Sequence, residues 1–156
     1  MRIHVLAVGT RLPAWQKQGF EEFARRLPRE CALHLVEIPA PRRTRNMDAE
    51  RAKVMEWERM RKALPRDTRV IALDEGGTMV DTATLAARLE RWLDDGRDIA
   101  LLVGGADGLA PAALAQAEAR WSLSPLTLPH GLVRVLLAEQ LYRAWSVIRG
   151  HPYHRE

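Results

Sequence analysis

The sequence predicts an α/β domain with a mainly parallel sheet and helices on both faces. Three observations point there. Segments with strand patterning alternate with segments of helical spacing almost throughout, the order that builds parallel sheets. The runs Ile3 to Val8 and Ile99 to Val103 are apolar without alternation, as strands buried on both sides require. Both run directly into glycine, Gly9 and Gly104, where backbone is free to turn.

The elements follow in order. Behind Pro13, Trp15, Phe20, Phe23, Ala24 and Leu27 recur at helical spacing, and Pro28 closes that helix. Ala32 to Ile38 reads as a second strand, after which Pro39 and Pro41 open a loop carrying Arg42, Arg43 and Arg45. A charged, helix-favouring stretch from about Met47 to Leu64 ends at Pro65. Arg69 to Leu73 makes a third strand and runs into Asp74-Glu75-Gly76-Gly77, which reads as a turn. Asp81 is placed to cap a helix bearing Leu85, Leu89 and Trp92, with Gly96 just past its end.

The fourth strand, Ile99 to Val103, leads into Gly104-Gly105-Ala106-Asp107-Gly108. Pro111 stands where a helix begins, and that helix is expected to reach about Arg120. Trp121 to Leu128 alternates serine with apolar residues and has room for a short strand, since Pro125 and Pro129 prevent a regular one. The clearest periodicity comes last: Leu132, Val133, Leu136, Leu137, Leu141, Ala144, Trp145 and Ile148 line one helix, stopped by Gly150. A tail, His151-Pro152-Tyr153-His154-Arg155-Glu156, follows.

The 156 residues fit a single domain, residues 1–156. A 47% hydrophobic content supports a packed core, and 28% charged residues give an ordinary soluble surface. No apolar run approaches the roughly 18 residues of a membrane span, and the N-terminus reads as a strand of the fold rather than a secretory signal. A cytoplasmic location is expected. The lone cysteine, Cys31, excludes an internal disulfide and reads as a small buried residue. None of His4, His34, His130, His151 and His154 pairs at metal-ligand spacing, so no metal is expected.

The net charge is +4, and arginine supplies 21 of the 24 basic residues. Arginine suits phosphate and base contacts, but a GC-rich genome enriches it too, so charge alone argues only weakly for an anionic partner. The glycine cluster after Val103 lets a ligand approach the backbone closely. It matches neither G-x-G-x-x-G nor a P-loop, and a tight packing turn is the alternative. There is no G-x-S-x-G elbow of a serine hydrolase. The tail packs two histidines, a tyrosine and an arginine into six residues. Such groups stack on bases, hold phosphate and move protons; a solvated chain end is the alternative. Arg42, Arg43 and Arg45 likewise form either a phosphate patch or a solvated charge run.

Together, several segments resemble one family. These are Leu6-Ala7-Val8-Gly9-Thr10, Val36-Glu37-Ile38-Pro39, Leu101 to Gly108, Ser122-Leu123-Ser124 with Leu128-Pro129-His130, Glu139-Gln140-Leu141-Tyr142-Arg143-Ala144, and His151-Pro152-Tyr153-His154-Arg155. They are similar, in the same order, to the signatures of the RlmH family, the large-subunit rRNA pseudouridine N3-methyltransferases of the SPOUT class. The resemblance spans the whole chain. Two departures are local: that family more often has glutamate or another small residue at Asp107, and the loop Glu75 to Val80 differs from its commoner Ile-Pro-Gly form.

The resemblance implies a SPOUT-type α/β knot, with a trefoil knot near the C-terminus. It implies binding of S-adenosyl-L-methionine at Leu73, Gly104, Leu123, Ser124, Pro125, Leu126, Thr127 and Leu128. It further implies methylation of N3 of a pseudouridine in helix 69 of 23S rRNA, on assembled ribosomes, by a homodimer. In such a dimer each site combines one subunit's cofactor with the other's tail and basic loop. The imide proton at N3 must leave before the nitrogen attacks, and side-chain chemistry makes His154 the first candidate base. Arg143 and Arg155 suit phosphate or developing charge, Tyr153 suits stacking, and Arg42, Arg43 and Arg45 suit RNA phosphate. A non-catalytic ribosome- or RNA-binding module is the alternative reading, and it predicts no cofactor binding.

Overall fold

The computed structural model describes residues 1–155; Glu156, the end of the expected tail, lies outside them. Five strands form one all-parallel sheet: β1 (Arg2–Val8), β2 (Ala32–Ile38), β3 (Arg69–Met79), β4 (Ile99–Val103) and β5 (Ala119–Ser122), in the order β2-β1-β4-β3-β5. Five helices connect or follow them: α1 (Ala14–Ala24), α2 (Ala49–Ala63), α3 (Thr82–Asp95), α4 (Pro111–Gln116) and α5 (His130–Arg149). Short 3-10 turns cover Arg29–Cys31 and Pro152–Arg155.

The central strands explain the unbroken apolar runs. In β1, Ile3, Val5 and Ala7 face a core shared with Phe20 of α1, Leu89 of α3 and Leu141 of α5. Leu6 and Val8 face the opposite core, with Trp57 and Met60 of α2 and Ala113 of α4. β4 divides the same way, Leu101 to the first core and Leu102 to the second. Successive side chains point to opposite faces, and both faces are covered, so β4 is wholly apolar and β1 is apolar from Val5 onward, with His4 held by Asp98 at 3.3 Å. Asp48 and Asp81 cap α2 and α3 by accepting hydrogen bonds from the Arg51 and Thr84 amides, each at 2.8 Å.

Two expectations need correction. Asp74-Glu75-Gly76-Gly77 does not end the third strand. Leu73 and Thr78 both face Trp121 in β5, so the segment between them is a bulge and pairing resumes to Met79. Gly77 permits this, because a Cβ there would come within 2.7 Å of the Arg120 backbone. The helix from Pro111 stops at Gln116 rather than reaching Arg120. The Glu118 amide already donates to the Val70 carbonyl at 2.8 Å, which starts β5 alongside β3.

Parallel topology sends every strand's carboxyl end to one edge. The loops after β1, β2, β4 and β5, and the bulge in β3, therefore gather there, as expected for ligand sites in open α/β sheets. Leu101, 1% exposed at the centre of β4, supports both this edge and the core beneath it. Leu101→Ala is expected to cost roughly 2–5 kcal/mol, read as a lower denaturant midpoint with an unchanged slope; a loss under about 0.5 kcal/mol, typical of surface changes, would contradict this packing.

Candidate active site

A cleft of about 740 Å³ opens at the carboxyl edge, within the usual range for small-molecule sites. Its floor is Leu73, where β3 enters its bulge, and the end of β4 at Val103; its walls are the glycine turn 104–108 and the segment 121–130. Leu73, Gly104, Leu123, Ser124, Leu126, Thr127 and Leu128 all line it, whereas Pro125 belongs to the same loop but not to the wall. At Gly104 an added Cβ would lie 2.5 Å from the Gly108 carbonyl carbon. The turn folds back on itself only because that atom is missing.

The serines of Ser122-Leu123-Ser124 shape the wall. Ser122 Oγ donates to the Ser124 carbonyl at 3.1 Å, and Ser124 Oγ accepts from the Leu126 amide at 2.9 Å. These local bonds hold an irregular loop where no ladder partner exists. The result is an apolar wall of leucines with backbone groups between them.

Charged groups ring the mouth. Asp74 accepts from Arg120 at 2.6 Å. Arg43 reaches across from the loop after β2 to pair with Asp107 in the glycine turn. Beneath them Glu56 of α2 is buried; burial pushes its carboxyl up, Arg43 opposes that and Asp107 adds to it. Of the arginine loop, Arg43 thus meets the cleft rim, while Arg42 and Arg45 are exposed beside it.

Two residues that sequence reasoning left without a role stand at the cleft's inner end. His130 begins α5 and lines the wall. Its Nδ1 is buried without a hydrogen-bond partner, and burial, helped by the nearby Arg134 charge, pushes its pKa down. Arg134, one turn on, is 1% exposed. It donates to Glu37 at 3.1 Å, to the Val8 carbonyl at 3.0 Å and to the Gly9 carbonyl at 2.8 Å. This clamp ties the start of α5 to the ends of β1 and β2. Glu37 stood within a motif already noted, but nothing local pairs it with a residue 97 positions away.

The tail candidates sit elsewhere. Tyr153 Oη donates to Glu139 at 3.0 Å, and Arg143 Nε donates to the same carboxylate at 2.8 Å. Tyr153 packs on Tyr142 at 4.7 Å between ring centroids, with the Arg143 guanidinium 5.0 Å from its own ring centre. His154 Nδ1 is buried without a partner, and Arg155 is exposed. None of these four lines the cleft. Glu139 is nine residues beyond His130 on α5, about 14 Å along the axis. Among the described residues no cluster of histidine, cysteine or carboxylate groups suits a metal, and no helix is long and apolar enough to cross a membrane.

Comparison with known proteins is consistent across the chain. The family model "Predicted SPOUT methyltransferase" matches residues 1–154. The chain is 58% identical over 156 residues to the ribosomal RNA large subunit methyltransferase H of Thioalkalivibrio sulfidiphilus, covering 100% of both chains. It is 59% identical over 155 residues to the protein of that name from Alkalilimnicola ehrlichii, covering 99% of each, and 53% identical to that of Hahella chejuensis, covering 100% of each. A crystal structure of a probable methyltransferase from Bordetella pertussis shares the fold, with a TM-score of 0.57 at 18% identity over 92% of this chain and 94% of that one.

The lowered His130 pKa has a consequence for stability. Below the ordinary imidazole value of about 6.5, the unfolded chain takes up a proton that folded His130 refuses, so acid favours unfolding. This contribution is complete above that pH, falls as pH drops through it, and levels off below the depressed folded value. His130→Gln should flatten the fall in unfolding free energy between pH 7 and 5 relative to the parent; parallel curves would show that His130 is not held neutral.

Proposed function

The chain belongs to the SPOUT methyltransferases, within the RlmH family, and on that premise we propose that it methylates large-subunit ribosomal RNA. The finer reading is transfer from S-adenosyl-L-methionine to N3 of a helix 69 pseudouridine, on assembled ribosomes in the cytoplasm. The observation that carries this reading is the cleft at the carboxyl edge, with its glycine turn and leucine-lined loop. The trefoil knot is part of the same proposal: its loops would be those that wall the cleft.

The residues present fit the cofactor. Leu73, Leu123, Leu126 and Leu128 offer apolar surface to an adenine ring, and the backbone of residues 123–128 offers the donors and acceptors that recognise its edge. Gly104 keeps the turn beside it narrow. A neutral His130, with Asp74, Glu75 and Asp107 also in the lining, adds no net positive charge against a cationic ligand. When bound, S-adenosyl-L-methionine supplies a methyl group on a sulfonium sulfur, which departs as a neutral thioether.

The protein's work is then positioning, which supplies roughly 7–11 kcal/mol in favourable cases, together with removal of one proton. His154 accepts the N3 proton, a role that contributes about 10²–10⁴-fold. Arg143 and Arg155 hold phosphate and the negative charge left on the base, and Tyr153 orients its ring. Glu139 binds both Arg143 and Tyr153 and so fixes their spacing. Arg42, Arg43 and Arg45 hold RNA phosphates.

The separation of tail and cleft supports a homodimer. Each cleft would be completed by the tail of a second copy, since its own tail packs along α5 at Glu139 and Tyr142. An apolar groove between α3 and α5, lined by Leu85, Leu136 and Leu141 and flanked by Met79 at 58% exposure, offers surface for that contact.

The test is methyl transfer from labelled S-adenosyl-L-methionine to ribosomes lacking the modification, beside naked rRNA, with the product base mapped. Label at N3 of a helix 69 pseudouridine, on ribosomes only, is expected. Cofactor binding without transfer would redirect the search to another RNA. Absence of both would favour a plain RNA-binding module.

A further inference from the structure

His130 stands in the cleft wall and has no contact assigned to it. It is the first residue of α5 and lines the cleft, two positions beyond Leu128, where the implied cofactor contacts stop. Its ring is wedged at the inner end. Cε1 lies 3.3 Å, and Nδ1 3.8 Å, from the place a Gly9 Cβ would take. Arg134 Nη2 lies 3.3 Å from the same point, so ring and guanidinium share the space beside Gly9. Gln16 of α1 packs against the next residue, Gly131.

The two ring nitrogens differ. Nδ1 is buried and has no hydrogen-bond partner. A proton there would be a buried donor without an acceptor, which is costly. The single proton of the neutral ring therefore sits on Nε2, the nitrogen left to the cleft. A second proton would have to go to Nδ1. It would also meet the Arg134 charge one turn on, and the positive end of the α5 dipole.

No carboxylate nearby is placed to offset that charge. Glu37 of β2 is engaged with Arg134. Among the carboxylates of the cleft lining, Asp74 and Asp107 are paired with Arg120 and Arg43, and Glu75 is exposed in the bulge of β3. Gly9 at the end of β1 and Gln16 of α1 bring no charge.

We propose that His130 is a further cofactor-binding residue, donating from Nε2 as a neutral ring, and that its protonation repels a sulfonium ligand while sparing the corresponding thioether. The inference rests on the S-adenosyl-L-methionine reading proposed above and deepens it: the cleft gains a residue that reads the charge of its ligand. The sulfonium donor and the thioether left after transfer share every other group. They differ by one methyl and one positive charge at sulfur. Any effect of acid on the fold or on the shared groups falls on both, so the ratio of their affinities isolates that charge. A bound cation makes His130 harder to protonate. Affinity for the sulfonium is therefore full above the ordinary imidazole value of about 6.5 and falls as pH drops through the lowered value of the ring.

The test is calorimetric binding of S-adenosyl-L-methionine and S-adenosyl-L-homocysteine to the full-length protein between pH 7.5 and 5. In the parent, the ratio of sulfonium to thioether affinity should fall about five-fold across that range. In His130→Gln, whose amide nitrogen reaches the cleft but takes no proton, the ratio should stay level. His130→Ala should weaken both ligands about ten-fold at pH 7.5, also with a level ratio. Cooperative unfolding with the parent's denaturant slope establishes that both variants fold. A level ratio in the parent, an equal fall in His130→Gln, or unchanged affinity in His130→Ala overturns the inference and leaves the cofactor reading standing. Failure of the parent to bind either ligand at pH 7.5 rejects that reading, and the inference with it.

Discussion

One buried guanidinium organises the functional end of this molecule. Arg134 has left water almost completely, and an unpaired charge in that position would cost several kcal/mol. Three acceptors offset the cost: the Glu37 carboxylate and the carbonyls of Val8 and Gly9. Those carbonyls lie at the end of β1, so the clamp closes on the edge of the sheet. The start of α5 is thereby held against the carboxyl edge of the sheet. The loop from Leu123 to Pro129 spans from β5 to that fixed point, and its shape follows from having both ends tied.

The electrostatic character of the cleft follows from the same clamp. Arg134 is close enough to His130 to disfavour a second positive charge there, and burial acts in the same direction. A neutral ring therefore faces a space whose ionisable lining is otherwise carboxylate. The rim carries both signs, with Arg120 paired to Asp74. Arg43 bridges to Asp107 there, and Arg42 and Arg45 stand exposed in the same loop. A cationic small molecule within and a polyanion without would each meet the charge they need.

Much of this was legible in the sequence, for reasons that can be stated. β1 and β4 read as strands because burial on both faces leaves nearly unbroken apolar runs, and α5 read as a helix because its stripe packs on two neighbours at once. Glycines at 104, 105 and 108 read as a turn with open backbone, and that turn walls the cleft. What escaped depends on contacts distant in sequence. Asp74 to Gly77 has the composition of a turn, yet β5 passes so near Gly77 that strand pairing resumes beyond it. Arg134 looks like one polar residue within an apolar helix, and its partners lie up to 126 residues away. His130 is half-buried against Gly9, a contact 121 residues apart in sequence. The resemblance to a known family singled out Leu123 to Leu128, which composition alone would have left as an irregular proline-bounded segment and which walls the cleft.

The tail and the cleft lie apart within one chain, and the proposed chemistry needs both. The most direct test uses heterodimers of two inactive variants: Gly104→Ala, which spoils the glycine turn, and His154→Ala, which removes the proposed base. If each site combines one subunit's cleft with the other's tail, the mixed dimer carries one site with both parts intact. The account predicts that mixing restores ribosome methylation well above either variant alone. Activity that stays at the level of the separate variants, in dimers shown to have exchanged subunits, would contradict it.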